Sequence, residues 1–166
     1  LGEILGVAKC YTTRVGQGRF PTEMSADDNV SMRNLGGEFG ATTGRPRRCG
    51  WLDLPALKRA VRVSGMTALA LTKVDILANL PTIKVCTAYQ VNGRQCSMMP
   101  SFLYSTDVIE PVYTDMKPFG MDQAEFGNSA SWTETFSDFI DLIETQLCIP
   151  IRYVSFGPKK NDIFRR

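Results

Sequence analysis

An α/β fold is what this sequence predicts, and three features carry that prediction. Two stretches with helical periodicity, 53–63 and 131–147, are each followed after a short break by a brief apolar run with strand character, 66–71 and 151–155. Between them Asn92-Gly93 is a strong hairpin signal, which adds antiparallel pairing to an otherwise parallel plan. The expected architecture is part of a larger mixed, mostly parallel sheet, with helices packed around it and long substrate-binding loops. At 166 residues, 43% of them hydrophobic and 22% charged, the chain has the composition of one globular unit rather than a disordered tail, a collagen or a coiled coil.

Residues 1–11 are too brief an apolar run to decide between helix and strand. From Thr12 to Gly50 the chain is rich in turn formers and reads as functional loops folded around a ligand or against a neighbouring segment. Asp53 is placed to cap a helix to about Val63, with Leu54, Leu57 and Val61 on its apolar side and Gly65 as its stop. The run Met66 to Leu71 reads as a buried strand that delivers Thr72, Lys73, Val74 and Asp75 to its carboxyl end, the usual ligand-binding edge of open α/β sheets. Residues 82–90 and 94–98 form the two arms of the Asn92-Gly93 hairpin, Val112 and Tyr113 suggest another short strand, and 120–130 a surface loop. Ser131-Trp132-Thr133-Glu134 fits a capping box for a helix whose apolar face is Phe136, Phe139, Ile140, Ile143 and Leu147. Pro150 lies beyond its end, and Ile151 to Ser155 is a strand entering Phe156-Gly157-Pro158.

Charge excludes some functions. Lysine and arginine total 19 against 17 acids, and a formal charge of +2 gives no general attraction to nucleic acid or membrane. The absence of histidine removes Cys/His zinc sites and any histidine base, and the five cysteines show no CxxC pairing. No catalytic residue and no metal ligand is assigned to this chain. Its cysteine usage points to a reducing cytoplasmic setting. The chain begins at Leu1 without a basic leader or an initiator methionine, which leaves room for upstream sequence.

The richest segment runs Gly36-Gly37-Glu38-Phe39-Gly40-Ala41-Thr42-Thr43-Gly44-Arg45-Pro46-Arg47-Arg48-Cys49-Gly50-Trp51. Glycines permit close approach of backbone to a ligand, Thr42 and Thr43 offer hydroxyls, and arginines grip carboxylates or phosphates with paired donors. Three arginines beside one acid suggest a small-anion site. A solvated basic patch, ion pairs with acids elsewhere, or an RNA-backbone contact are the other readings of the same residues.

As a whole, the pattern from Gly37 to Arg48, continued by Cys49-Gly50-Trp51-Leu52-Asp53, resembles the substrate loop of the adenylosuccinate synthetases. Tyr11-Thr12-Thr13-Arg14-Val15-Gly16 precedes it and Thr72-Lys73-Val74-Asp75 and Ser155-Phe156-Gly157-Pro158 follow, in family order and spacing. The resemblance implies that Ala41, Thr42, Thr43, Gly44, Arg45, Pro46 and Arg47 close over L-aspartate beside inosine monophosphate. It places Val15 and Gly16 against the inosinate ribose. It also implies that Arg47, Lys73, Val74, Asp75, Ser155, Phe156 and Gly157 serve the GTP side, with Asp75 accepting hydrogen bonds from guanine. One departure is local: the chain has Gly18-Arg19-Phe20-Pro21-Thr22-Glu23 where the family commonly has proline in place of Arg19, which removes a φ restriction and adds a charge.

The implied function is a GTP-dependent ligation of L-aspartate to inosine monophosphate, in which O6 is first phosphorylated and phosphate is then displaced by the amine. The family's phosphate loop and catalytic histidine have no counterpart here. The chain is therefore expected to be the carboxyl-terminal part of the enzyme, about two fifths of it, with 12–51 as its substrate-binding loops. Mg²⁺, phosphate binding and proton transfer are expected from the amino-terminal remainder, and a homodimer from the complete enzyme. Alternatives are a noncatalytic purine-nucleotide-binding or assembly module, and a fragment of a related synthetase with another purine monophosphate substrate.

Overall fold

A computed structural model describes residues 2–100, 104, 106–120, 126 and 129–166. The ambiguous first segment is a strand, β1 (Leu5–Lys9), because it finds a partner. It pairs in parallel with β5 (Ala68–Thr72), which pairs in parallel with β9 (Ile151–Ser155), and β10 (Ile163–Arg165) adds an antiparallel edge. The sheet order is β1-β5-β9-β10, mixed and mostly parallel as the sequence predicts. Ala68, Leu69 and Leu71 of the central strand are fully buried, which is why this strand reads as a continuous apolar run.

The stretch 12–50 is not one continuous loop. Short strands β2 (Thr12–Arg14) and β3 (Arg48–Gly50) pair antiparallel across it, and a helix, α1 (Ala26–Gly36), lies between them. The helix escapes hydrophobic periodicity because Val30 and Leu35 are exposed while its buried contacts are Asn29, Met32 and Gly36. Its ends follow ordinary capping chemistry: Ser25 Oγ accepts the Asp28 amide at 3.2 Å, Asp27 and Asp28 occupy the first turn, and Gly37 closes the helix at φ 62°. Gly36 admits no side chain, since a Cβ there would lie 2.5 Å from the Tyr11 hydroxyl.

β4 (Leu52–Asp53) leads directly into α2 (Leu54–Ser64), capped as expected by Asp53 Oδ1 on the Ala56 amide at 3.0 Å and stopped at Gly65. β4 begins a second sheet, parallel to β6 (Ile83–Val91). β6 turns through Asn92 and Gly93, both at positive φ, into β7 (Arg94–Cys96) and pairs along its length with β8 (Ile109–Met116). The short strand expected at Val112 and Tyr113 is thus eight residues long. Pro111, Glu110 and Asp115 disguise it, and they are tolerated because among the described residues β8 is an edge strand paired only with β6.

The last helix, α4 (Glu134–Leu147), is capped by Thr133, whose Oγ1 accepts the Phe136 amide, two residues beyond the Ser131 expected. Ser131 instead closes a 3-10 turn. All five residues of the predicted apolar face are buried. Of the surface loop expected at 120–130, residues 121–125 and 127–128 lie outside the described residues, whereas Phe126 is buried in the core. Phe136 sits at the centre of an aromatic cluster, with ring centroids 5.0 Å from Phe119, 5.4 Å from Phe126 and 4.8 Å from Trp132. No helix among the described residues is long and apolar enough to cross a membrane.

Truncating Phe136 removes the central ring of this cluster and leaves Phe139 as the α4 ring packed on Phe119. Phe136→Ala is expected to cost about 3–5 kcal/mol of unfolding free energy, measured by urea denaturation, with no loss confined to one local segment.

Candidate functional site

The carboxyl ends of β5 and β9 open on a cleft of about 430 Å³. Lys73 and Asp75 line it from the β5 side, Ser155, Gly157 and Pro158 from β9, and Asn34, Leu35, Gly36 and Gly37 from the end of α1. Lys9, at the end of β1, completes the wall. Two segments distant in the chain meet here because β5 and β9 are neighbours in parallel register.

Lys73 holds a left-handed backbone at φ 67°, uncommon for a residue with a side chain. Two contacts keep it there. The Cys10 thiol donates to the Lys73 carbonyl at 2.9 Å, and the Lys73 ammonium donates to the Gly36 carbonyl at 2.9 Å, tying the sheet edge to the carboxyl end of α1. Asp75 lies in the first turn of a short helix, α3 (Val74–Ala78). Its Oδ1 is buried and finds no hydrogen-bond donor among the described residues. Burial pushes the Asp75 carboxyl above the usual aspartate range, against the backbone amides of Asp75 and Ile76 and the nearby Lys73 charge. A carboxylate in this condition is suited to a ligand that brings donors. Ser155 Oγ donates to the Gly157 carbonyl at 3.2 Å, fixing the turn opposite. The side chains of Val74 and Phe156 are buried in the core, and the Phe156 amide donates to the Asp162 carbonyl at 2.9 Å.

The arginine segment folds as a hairpin. Phe39 and Pro46 bridge across it, Arg47 N donates to Glu38 O at 3.0 Å, and Gly44 N to Gly40 O at 2.9 Å closes the tip. Residues 41–46 are all exposed, and none of them lines the cleft. The base is docked by α1: the Asn29 amide exchanges two hydrogen bonds with the Cys49 backbone, at 3.1 and 2.8 Å, and Arg33 Nε donates to the Arg47 carbonyl at 3.0 Å.

The three arginines have separate fates. Arg48 pairs with Glu23 through the Nε–Nη2 edge of its guanidinium, at 2.8 and 2.5 Å, and its Nη1 also donates to the carbonyls of Gly16 and Gly18. It is therefore a structural residue that staples the 15–18 loop, with exposed Val15 and Gly16, to the base of the hairpin. Arg47 Nη1 donates to Glu38 Oε2 at 2.8 Å. Arg45, exposed at the tip, has no carboxylate partner among the described residues. Ion pairing thus accounts for two of the three arginines, and the small-anion reading narrows to Arg45 and the remaining donors of Arg47.

Glu38, which in the sequence is only the acid near the arginines, is 1% exposed. Its Oε1 accepts from Lys9 Nζ at 2.7 Å and from the Tyr11 hydroxyl at 2.6 Å, while Oε2 serves Arg47. Burial alone would push this carboxyl up, but the hydrogen bonds from Lys9, Tyr11 and Arg47 outweigh it and hold the carboxyl below the usual glutamate range. No sequence signal marks Lys9, Tyr11 and Glu38 as a group, since their relation is purely spatial. Asn34 and Leu35 are hidden for the same reason, inside a helix that periodicity does not reveal. Among the described residues no group of three acids or cysteines is placed to hold a metal ion.

Comparison with known proteins extends these observations to the whole chain. Residues 1–164 match the family described as adenylosuccinate synthetase. The chain is 45% identical over 166 residues to an adenylosuccinate synthetase of Christiangramia forsetii, covering 100% of this chain and 39% of that protein. A Petrotoga mobilis adenylosuccinate synthetase is also 45% identical, over 98% of this chain and 36% of its own length. The fully ligated adenylosuccinate synthetase of Plasmodium falciparum superposes with a TM-score of 0.89 at 32% identity, covering 100% of this chain and 40% of that one. A succinoaminodeoxyadenylate synthetase of cyanophage S-2L, at 16% identity and a TM-score of 0.51, shares the fold. The chain therefore spans about two fifths of the length of such relatives.

The contrast between Arg48 and Arg45 is measurable. Arg48→Ala is expected to raise amide hydrogen exchange across 16–19 and to destabilise the chain by about 1–3 kcal/mol, because Glu23 and two carbonyls lose their donor. Arg45→Ala should change unfolding free energy by less than about 0.5 kcal/mol and leave that exchange pattern intact.

Proposed function

Because the chain belongs to the adenylosuccinate synthetase family, we propose that it is the carboxyl-terminal part of a GTP-dependent ligase that joins L-aspartate to inosine monophosphate, giving adenylosuccinate, GDP and phosphate. The observation that carries this reading is the cleft in which Lys73, Asp75, Ser155 and Gly157 converge around a buried carboxylate oxygen that lacks a donor. Guanine presents N1–H and an exocyclic amino group side by side, a donor pair that a carboxylate accepts and that adenine lacks. Lys73, anchored at Gly36, flanks the base with its aliphatic stem, and the Ser155–Gly157 turn closes the opposite side.

On the other side of Glu38, the exposed hairpin from Ala41 to Pro46 supplies amides, the hydroxyls of Thr42 and Thr43, and the Arg45 guanidinium to the carboxylates of L-aspartate. Arg47 joins them from the hairpin base. Exposure of the tip fits a loop that closes on a ligand rather than one built into the core. Val15 and Gly16, stapled beside it by Arg48, give the inosinate ribose an apolar and unobstructed contact.

In this reading the chain binds and orients, and it moves no proton in the reaction. The amino-terminal remainder supplies the phosphate loop, the base and the residues for Mg²⁺, which when bound neutralises and orients the transferring phosphoryl group. This reading assigns no metal ligand to the chain, so no step of this chain is routed through a metal. A cytoplasmic homodimer is the expected state of the complete enzyme.

Two outcomes test the proposal. In the complete enzyme, Asp75→Asn should raise the KM for GTP by about ten- to a hundred-fold and leave that for inosine monophosphate within about two-fold, while xanthosine triphosphate, which offers an acceptor where guanine has its amino group, gains as a substrate. Equal losses for both nucleotides would show damage to the fold instead of base recognition. The isolated chain, verified by mass, should form no adenylosuccinate from GTP, inosine monophosphate, L-aspartate and Mg²⁺, and mixing with the amino-terminal remainder should restore turnover. Turnover by the chain alone would contradict the division of labour.

A further inference from the structure

We propose that Glu38 is a positioning residue for the hairpin: it holds the Arg47 guanidinium by one donor so that the remaining donors are presented, already oriented, to the carboxylate of the incoming amino acid. The inference rests on the reading of 41–47 as the L-aspartate loop and goes beyond it, since Glu38 touches no substrate in that reading.

The geometry separates the two ends of Glu38. Oε1 is saturated on the inner side by Lys9 at 2.7 Å and Tyr11 at 2.6 Å, and Oε2 is left for Arg47 at 2.8 Å. Lys9 and Tyr11 project from the end of β1 and the residues just after it, so the carboxylate is fixed to the main sheet and not to the hairpin that it steadies. The backbone adds a second tie at the same place, from Arg47 N to Glu38 O at 3.0 Å, and Arg33 takes the Arg47 carbonyl from α1. Arg47 is thereby held at three points while its side chain is still 32% exposed. A guanidinium has five donors in a rigid fork, and Glu38 engages the Nη1 end. An arginine restrained in this way loses less side-chain entropy on gripping a ligand than a free one does. The net charge of Glu38, Lys9 and Arg47 is +1, so the anchor does not cancel the attraction for an anion.

Lys9 gives the anchor a second consequence. It lines the nucleotide cleft and also donates to Thr13 Oγ1 at 3.3 Å, so the residue that fixes Glu38 sits between the cleft and the strand leading to Val15. Burial and the adjacent Glu38 keep the Tyr11 phenol protonated, and it therefore remains a donor to the carboxylate across the working pH range.

The test is a double-mutant cycle in the complete enzyme with Glu38→Gln and Arg47→Ala. Glu38→Gln should raise the KM for L-aspartate about ten-fold or more, with kcat at saturating L-aspartate changed by less than about three-fold, the pattern of lost binding and not of lost chemistry. In the Arg47→Ala background the same substitution should raise that KM by less than about two-fold, because Glu38 acts through Arg47. Equal effects in both backgrounds would overturn the proposal while leaving the loop reading in place. An Arg47→Ala enzyme with unchanged KM for L-aspartate would instead overturn the loop reading, and the proposal with it. Should Glu38→Gln fail to fold, as judged by thermal melting, Glu38→Asp keeps the charge but shortens the reach. The cycle run with Glu38→Asp separates the same outcomes: an effect that vanishes without Arg47 supports the proposal, and an effect that persists overturns it.

Discussion

A carboxylate shut away from water has to be compensated, and the compensation of Glu38 organises one side of this molecule. An ion transferred into a protein interior carries a desolvation cost of several kcal/mol unless donors replace its lost hydration. Here those donors come from Lys9 at the end of the first strand, from Tyr11 in the turn that follows, and from Arg47 at the base of the hairpin. No local stretch could satisfy Glu38 alone, so the interaction requires strand, turn and hairpin to be assembled together. Gly36, bare of a side chain, gives the Tyr11 hydroxyl room to reach it.

Around that point the molecule divides its tasks between rigid and accessible parts. The parallel pairing of β5 with β9 brings Asp75 and Ser155 to one edge, and their mutual position is fixed by backbone hydrogen bonds in the core of the sheet. Among the described residues the hairpin tip has no such support from the sheet, and the hairpin is docked at its base, by Asn29, Arg33 and Glu38 among others. Under the proposed function the first arrangement suits a nucleotide-base pocket, because discrimination between bases depends on donors and acceptors held at fixed positions. A small flexible substrate that must enter and be covered benefits from the second.

Elements governed by local chemistry are legible in the sequence. Asp53 and Gly65 delimit α2, Phe136 to Leu147 mark the buried face of α4, and Asn92-Gly93 makes its turn, because each depends on residues within a few positions of one another. Helix α1 escapes such reading because it is docked by a buried asparagine and a methionine instead of an apolar stripe, and hydrophobic periodicity does not register an amide that pairs with the backbone of a strand. The full length of β8 is concealed because an edge strand tolerates proline and charge. At the candidate site, Lys73, Asp75, Ser155 and Gly157 converge as their place at strand ends suggests, whereas the side chains of Val74 and Phe156 belong to the core. The partners of Arg47 and Arg48 lie 9 and 25 residues away in sequence, so only three dimensions decide which arginine is structural.

If the proposed function holds, the left-handed backbone of Lys73 sets thermal robustness against recognition at a single position. Glycine would adopt the same φ without steric cost and would relax the turn that the Cys10 thiol now braces. It would also delete the ammonium that fastens this turn to the end of α1 and flanks the cleft. Selection for heat resistance alone would accept the relaxed turn, and under the proposed function selection for nucleotide use would reject it. Residue 73 is thus a place where adaptation to a hotter environment has to proceed by reinforcing the neighbours, Cys10 and Gly36 among them, and not by easing the strained residue itself.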